Sequence, residues 1–224
     1  MKRLILAAMM ILFATTANAQ KDVTKFLGIP VDGTKAEMIQ KLKAKGFTSL
    51  AYDNEVLEGE FNGEKVEIHI VTNNNNVYRI MVADKTMRNE ANIRIRFNNL
   101  CNQFENNGNY VFFKDDQSIP QDEDIYYEMK IKGKRYEAAY YQNPVMDSTT
   151  LANTVLENLS SKYNYTVEQV ATLTQEEQAK LQLDLAFDII SNKSVWFMIS
   201  EYLGKYYILM YYDNKYNESN GEDL

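Results

Sequence analysis

Three runs of alternating apolar residues fold back on a glycine, and they commit much of this chain to antiparallel sheet. Val56–Phe61, Asn62-Gly63 and Glu64–Val71 form the clearest of them. Val66, Ile68 and Ile70 alternate with Glu67 and His69, which buries one face and wets the other. Asn-Gly supplies the two positive-φ residues of a type I′ turn. A second hairpin is expected from Ile125 to Gln142 around Lys132-Gly133-Lys134, and a third from Val195 to Asp213 around Leu203-Gly204-Lys205. The three glycines are about 70 residues apart and each hairpin follows helical sequence. The spacing fits three helix-plus-hairpin units over 26–84, 85–142 and 143–216. It also fits a chance recurrence of glycine turns.

The helices carry their own punctuation. Thr34 and Glu37 fit a capping box. Gly46 and Phe47 then fit a Schellman stop in which Phe47 reaches Leu42. Between them Met38, Ile39 and Leu42 form an apolar stripe. Ile93, Phe97, Leu100, Cys101 and Phe104 recur at helical spacing within Thr86–Asn107. Further helices are expected near Thr149–Lys162 and Val167–Ser191, and further strands over Val77–Asp84 and Tyr110–Lys114, with a turn at Asn73–Asn76. The fold class is therefore α+β, antiparallel hairpins packed on helices, in one domain over 20–216. Residues 217–224 read as a polar, disordered tail.

Lys2 and Arg3, the apolar run Leu4–Phe13 and the small residues Ala17 and Ala19 form a secretory leader over 1–19, with cleavage expected before Gln20. The run is too short to span a bilayer, and no transmembrane span is expected after it. The 224-residue chain has a net charge of −7, and losing Lys2 and Arg3 makes it more acidic still. Such a chain is a poor candidate for nucleic acid, whose backbone needs clustered cations. One cysteine and one histidine exclude an internal disulfide and a thiolate metal cage. No cofactor motif is present.

The run FLGIPVDGTKAEMIQKLKAKGF at residues 26–47, behind such a leader, resembles the start of small exported proteins common in Bacteroidota. The order of helix and then antiparallel hairpins looks like β-lactamase-inhibitor-like and outer-membrane-assembly lipoprotein modules. Those lipoproteins carry a lipidated cysteine, absent at the cleavage point here, and the inhibitors carry disulfides, which a single cysteine cannot form. The resemblance implies a fold and an envelope address, and assigns no residue a role.

The candidate residues each have two readings. His69 lies two residues from Glu67 on one strand face; it is a structural or solvent-facing strand residue, or a catalytic or metal-binding one, and the alternative function is a small envelope hydrolase that uses carboxylates or His69. Cys101 is a buried small hydrophobe or a reactive thiol. Asp115, Asp116, Asp122, Glu123 and Asp124 form a solvated acidic loop, or oxygen ligands for calcium without the usual loop spacing. Sixteen tyrosines include the pairs Tyr126-Tyr127, Tyr140-Tyr141 and Tyr211-Tyr212. Adjacent strand residues face opposite ways, so Tyr126, Tyr141 and Tyr212 are expected outward, as a recognition face or as ordinary strand tyrosines. Val195, Phe197 and Ile199 take one face of the last hairpin and Trp196 and Met198 the other; Trp196 is core or a sugar platform. The expected function is a non-enzymatic binding module that holds an envelope protein or glycan through Tyr126, Tyr141, Tyr212 and Trp196, with no cofactor, no metal and no catalytic residues. A structural envelope component is the further alternative.

Overall fold

Helix α1 (Lys35–Ala44) is bounded by its own sequence. The Thr34 hydroxyl accepts from the Glu37 amide, and the Glu37 carboxylate accepts from the Thr34 amide. Two donors that the first turn leaves unpaired are thereby satisfied. At the other end Gly46 adopts φ +100°, where a side chain would be strained. Its N–H bonds the Lys43 carbonyl, and the Phe47 N–H bonds the Leu42 carbonyl. Met38, Leu42 and Phe47 are buried, so the stop also seats the helix.

The computed structural model describes residues 22–114 and 116–219. The expected leader, Asp115 and residues 220–224 of the expected tail lie outside them. The described chain divides into two compact units, where the sequence reading expected one domain. The larger joins Val23–Asn143 to the segment from Asn192 onward, and the smaller holds Asp22 and Pro144–Ser191.

The larger unit is an α+β fold built on an antiparallel eight-stranded sheet. Its strands are β3 (Thr48–Ser49), β4 (Leu57–Phe61), β5 (Glu64–Asn73), β6 (Asn76–Asp84), β7 (Tyr110–Val111), β8 (Glu137–Gln142), β9 (Ser194–Tyr202) and β10 (Lys205–Asp213), in the order β3-β4-β5-β6-β10-β9-β8-β7. A two-stranded ribbon, β1 (Lys25–Phe26) and β2 (Ile29–Pro30), precedes it. The element order repeats twice. Helix α1 leads into β3–β6, helix α2 (Glu90–Glu105) leads into β7–β10, and the halves meet where β6 pairs β10. The tight turns of the large sheet are Asn62-Gly63, Asn74-Asn75 and Leu203-Gly204, and like Leu27-Gly28 of the ribbon all have positive φ at both residues, the type I′ signature.

The second expected hairpin is not there. Ile125–Lys130 is a helix, α3, capped by Asp124, whose carboxylate accepts from the Tyr127 amide. Gly133, at φ +66°, follows that helix rather than closing a hairpin, and β8 starts only at Glu137. The glycine spacing therefore does not mark the repeat. Gly63 joins β4 to β5, whereas Gly204 joins β9 to β10, whose counterpart in the first half is the Asn74-Asn75 turn. Asn217 is not loose either. It ends a short 3₁₀ turn, Lys215–Asn217, and its amide donates to the Val77 carbonyl at 2.9 Å and to Asp32 at 2.8 Å.

Helices α1, α2 and α3 all contribute to the core on one face of the sheet. Ile93, Phe97, Leu100 and Cys101 of α2, with Ile125 of α3, pack on Ile68, Ile80, Tyr140, Phe197 and Ile208. An aromatic cluster forms around Phe197, whose ring lies 5.0 Å from Phe97, 5.8 Å from Phe104 and 6.1 Å from Tyr140.

The smaller unit is helical: α4 (Ser148–Ser161), α5 (Val167–Val170) and α6 (Gln175–Ser191). Leu159, Leu181 and Leu185 form its core. The single helix expected over Val167–Ser191 is broken, because Thr174 and Glu177 build a new helix start between α5 and α6.

Candidate functional site

The ladder fixes which side chains share the other face of the sheet. His69 of β5 opposes Met81 of β6, Met81 opposes Tyr211 of β10, Tyr211 opposes Trp196 of β9, and Trp196 opposes Ala139 of β8. The adjoining row runs Glu67, Ala83, Leu209, Met198 and Glu137. All of these are at least partly exposed, Glu137 with about half of its side chain. This outer face is a band of aromatic and thioether groups between charged margins.

Trp196 is held on one side. Its ring stacks on Tyr211 at 4.1 Å and 19°. Its indole N–H donates to Asp213 Oδ2 at 2.8 Å. Arg79 donates to the same carboxylate through Nε at 2.6 Å and Nη2 at 2.9 Å, a bidentate geometry that lysine cannot make. Its guanidinium carbon lies 5.0 Å from the Tyr211 centroid and 5.6 Å from that of Trp196, within cation–π range. The hydrogen bonds that Arg79 donates to Asp213 raise its pKa above the ordinary value against the opposing effect of burial. Burial also raises the phenol of Tyr211. Both groups therefore keep their charge state across the physiological range.

On the other side of Trp196 the face opens into a broad pocket of about 480 Å³. Ala139 lies in it across the strand from Trp196, and Tyr141 lies two residues further along β8. Phe113 meets Tyr141 edge-on at 5.5 Å. Arg135, Glu137, Lys114 and Gln117 supply the polar lining, with Arg135 and Glu137 paired at 3.1 Å. Beyond Val111, β7 no longer covers β8. There Gln117 takes the place of a strand: its amide oxygen accepts from the Ala139 N–H at 3.0 Å and its amide nitrogen donates to the Ala139 carbonyl at 3.4 Å.

The structure thus brings together two of the four expected site residues, Trp196 and Tyr141. Tyr212 is corrected. It is buried and packs on Phe26 at 4.8 Å, because Tyr206, Ile208, Met210 and Tyr212 are the inward set of β10 and Tyr211 faces out. Tyr126 is exposed, but it lies on α3, the helix that adds Ile125 to the core of the opposite face. Its expected strand placement falls with the second hairpin. Arg79, Tyr211, Asp213 and Phe113 were not anticipated. The charged residues Lys205 and Asp213 share odd-numbered positions with Tyr207 and Tyr211, the one sequence signal for the parity of β10.

The remaining candidates are accounted for locally. His69 stands in a regular strand opposite Met81. No group of three His, Cys, Asp or Glu among the described residues is placed to hold a metal ion. In the acidic loop Asp116 accepts from the Ser118 hydroxyl, Asp124 caps α3, and Glu123 pairs with Lys134 and accepts from Tyr136. Cys101 is buried, and that burial pushes its thiol up to about 11. Native Cys101 is therefore expected to resist a thiol reagent at pH 8 and to react once the chain is unfolded, as counted by labelling with and without denaturant. A thiol raised in the folded state stabilises fully below its unfolded value near 8.5 and loses that contribution as pH rises towards the folded value. Stability should accordingly fall by about 1 kcal/mol per pH unit from about pH 8.5 to 10, and Cys101→Ala should remove that slope.

Fold and face together define an α+β protein whose main sheet is closed by helices on one side and presents an aromatic slot on the other. No family model, curated protein or solved structure matches the chain. No helix of the described residues is long and apolar enough to cross a membrane.

Proposed function

We propose that the chain is an exported, non-enzymatic binding module that holds an envelope protein or glycan on the outer face of its sheet. One observation carries this reading. The sheet unit places α1, α2 and α3 on one face, yet the other face keeps Met81, Tyr211, Trp196, Met198 and Leu209 partly exposed in one band. A contiguous apolar band of this kind on a surface marks an interaction site more often than isolated exposed residues do. Tyrosine, tryptophan and arginine are also the residues that dominate binding energy where they gather. The leader-like run Leu4–Phe13 supports export, and the acidic balance of the chain supports a partner other than nucleic acid.

The test immobilises the chain and passes envelope extract over it. Met198→Glu places a charge on the outer face without entering the core, and Trp196→Ala removes the central ring. Both are expected to lose the material retained by the wild-type chain while circular dichroism stays unchanged. Equal retention by all three chains would sink the proposal.

A further inference from the structure

The slot between Trp196 and the Tyr141–Phe113 pair has a definite chemical character. We propose that it binds a neutral glycan, with one pyranose ring laid on the free side of the indole. This inference rests on the outer-face reading above and names the ligand class of that same site.

Shape comes first. Tyr211 occupies one side of the Trp196 ring at 4.1 Å, and β10 and β8 flank β9 on opposite sides. The pocket shared with Ala139 and Tyr141 therefore lies on the side away from Tyr211. Alanine at 139 leaves the room that any larger side chain there would fill. Phe113, 54% exposed, and Tyr141 bound the slot across from the indole. A volume of about 480 Å³ falls in the range of small-molecule sites, about 300–1,000 Å³. The aliphatic C–H face of a sugar ring buries well on such a wall, and the half-buried indole is already oriented by Tyr211, Asp213 and Arg79, so little ordering is left for the ligand to impose.

Charge comes second. The lining offers Arg135 and Glu137, already paired with each other at 3.1 Å, and Lys114. The Ser118 hydrogen bonds, helped by the charge of Lys114, hold Asp116, just outside the lining, below the ordinary carboxylate range. With Asp116 counted, two cations face two carboxylates, which gives little net attraction to an anion or a cation. The margin does offer strong donors and a strong acceptor side by side. A sugar hydroxyl both donates and accepts, so neighbouring hydroxyls can use Arg135 and Glu137 together.

The third point weighs against a peptide. The usual way for an extended peptide to join a sheet is to pair with an open edge. Beside the slot that edge is β8, and Gln117 already satisfies both the N–H and the carbonyl of Ala139. Strand addition here would have to displace a side chain that is itself buried.

Trp196 is the only tryptophan, so its fluorescence reads the slot directly. The purified chain is titrated with short oligomers of β-glucan, α-mannan, β-galactan and N-acetylglucosamine. At least one is expected to give a saturable change in Trp196 emission. Ala139→Leu, which fills the slot and leaves the indole in place, is expected to weaken that binding about tenfold or more, and Glu137→Gln with Arg135→Ala to weaken it further. No saturable change with any of the four, or a change that Ala139→Leu leaves intact, overturns the assignment. A parallel experiment uses envelope extract treated with periodate, which destroys sugar diols, or with protease. Retention that survives periodate, fails after protease and is lost in Ala139→Leu overturns the glycan and leaves the outer-face module standing. No retention from untreated extract, together with no response to the oligomers, overturns both.

Discussion

Phe197→Ala is expected to destabilise the sheet unit by about 4 kcal/mol, within the usual range of about 3–5 for losing a buried phenylalanine. Phe197 is fully buried. It stands where the two layers meet, with Phe97 and Phe104 reaching down from α2 and Tyr140 arriving from the next strand. Three rings frame the space it would vacate, and rings close a gap poorly because they move as rigid plates. Part of the loss is therefore cavity rather than transfer. For a unit of this size the midpoint should drop by about 8–16 °C at about 2–4 °C per kcal/mol. Thermal unfolding followed by far-ultraviolet circular dichroism measures it. A drop of less than about 3 °C would mean that α2 does not pack on β9 as described.

Asp213→Ala is expected to be the most damaging change on the outer face. The carboxylate is buried and receives three hydrogen bonds, two from Arg79 and one from Trp196. Removing it leaves a guanidinium with only 24% of its side chain exposed and without the carboxylate that held it. Losing one partner of a buried pair costs about 3–5 kcal/mol, and the partial exposure of Arg79 puts the expected value near the lower end, about 3. The double variant Arg79→Met with Asp213→Leu should recover more than half of that loss, since it removes the unpaired charge as well. Trp196 adds a second readout: without its acceptor the indole loosens from Tyr211, and its emission should shift to longer wavelength in Asp213→Ala. Denaturant titration and fluorescence on the same samples test both. A double variant less stable than Asp213→Ala would show that the pair itself is the source of stability.

Much of this architecture was legible because it is specified locally. The Thr34–Phe47 helix carries its start and stop within its own residues, and the Asn62-Gly63 turn fixes the register of the strands beside it. The α+β class followed from such elements. Ile125–Met129 misled because Ile125, Tyr127 and Met129 alternate like a strand, while the deciding contacts are the Asp124 cap and the bond from the Ile125 amide to Glu90, 35 residues away in sequence. The parity of β10 was harder, since both faces are apolar: Tyr206, Ile208, Met210 and Tyr212 on one, Tyr207, Leu209 and Tyr211 on the other, and only the terminal Lys205 and Asp213 mark the difference. Burying Tyr212 under Phe26 depends on a ribbon far away in sequence. Trp196 and Tyr141 were named from sequence, but nothing local joins them. Their meeting depends on β8 pairing with β9, and Phe113 and Gln117 enter from a loop before α3.

That β8–β9 pairing has a consequence for how the chain can change over time. Gln142 and Ser194 are near neighbours in the ladder: the Gln142 amide bonds the Lys193 carbonyl at 3.0 Å and the Lys193 ammonium bonds the Asn143 carbonyl at 2.9 Å. Residues 144–191 thus leave and re-enter the sheet at one spot, as the ends of a tight turn would. The entropy of closing a loop rises only with the logarithm of its length, about 0.6 kcal/mol per doubling. The closure cost is therefore nearly indifferent to how long the intervening segment is, and this junction is a place where such a chain can gain or shed residues without changing the register of β8 on β9.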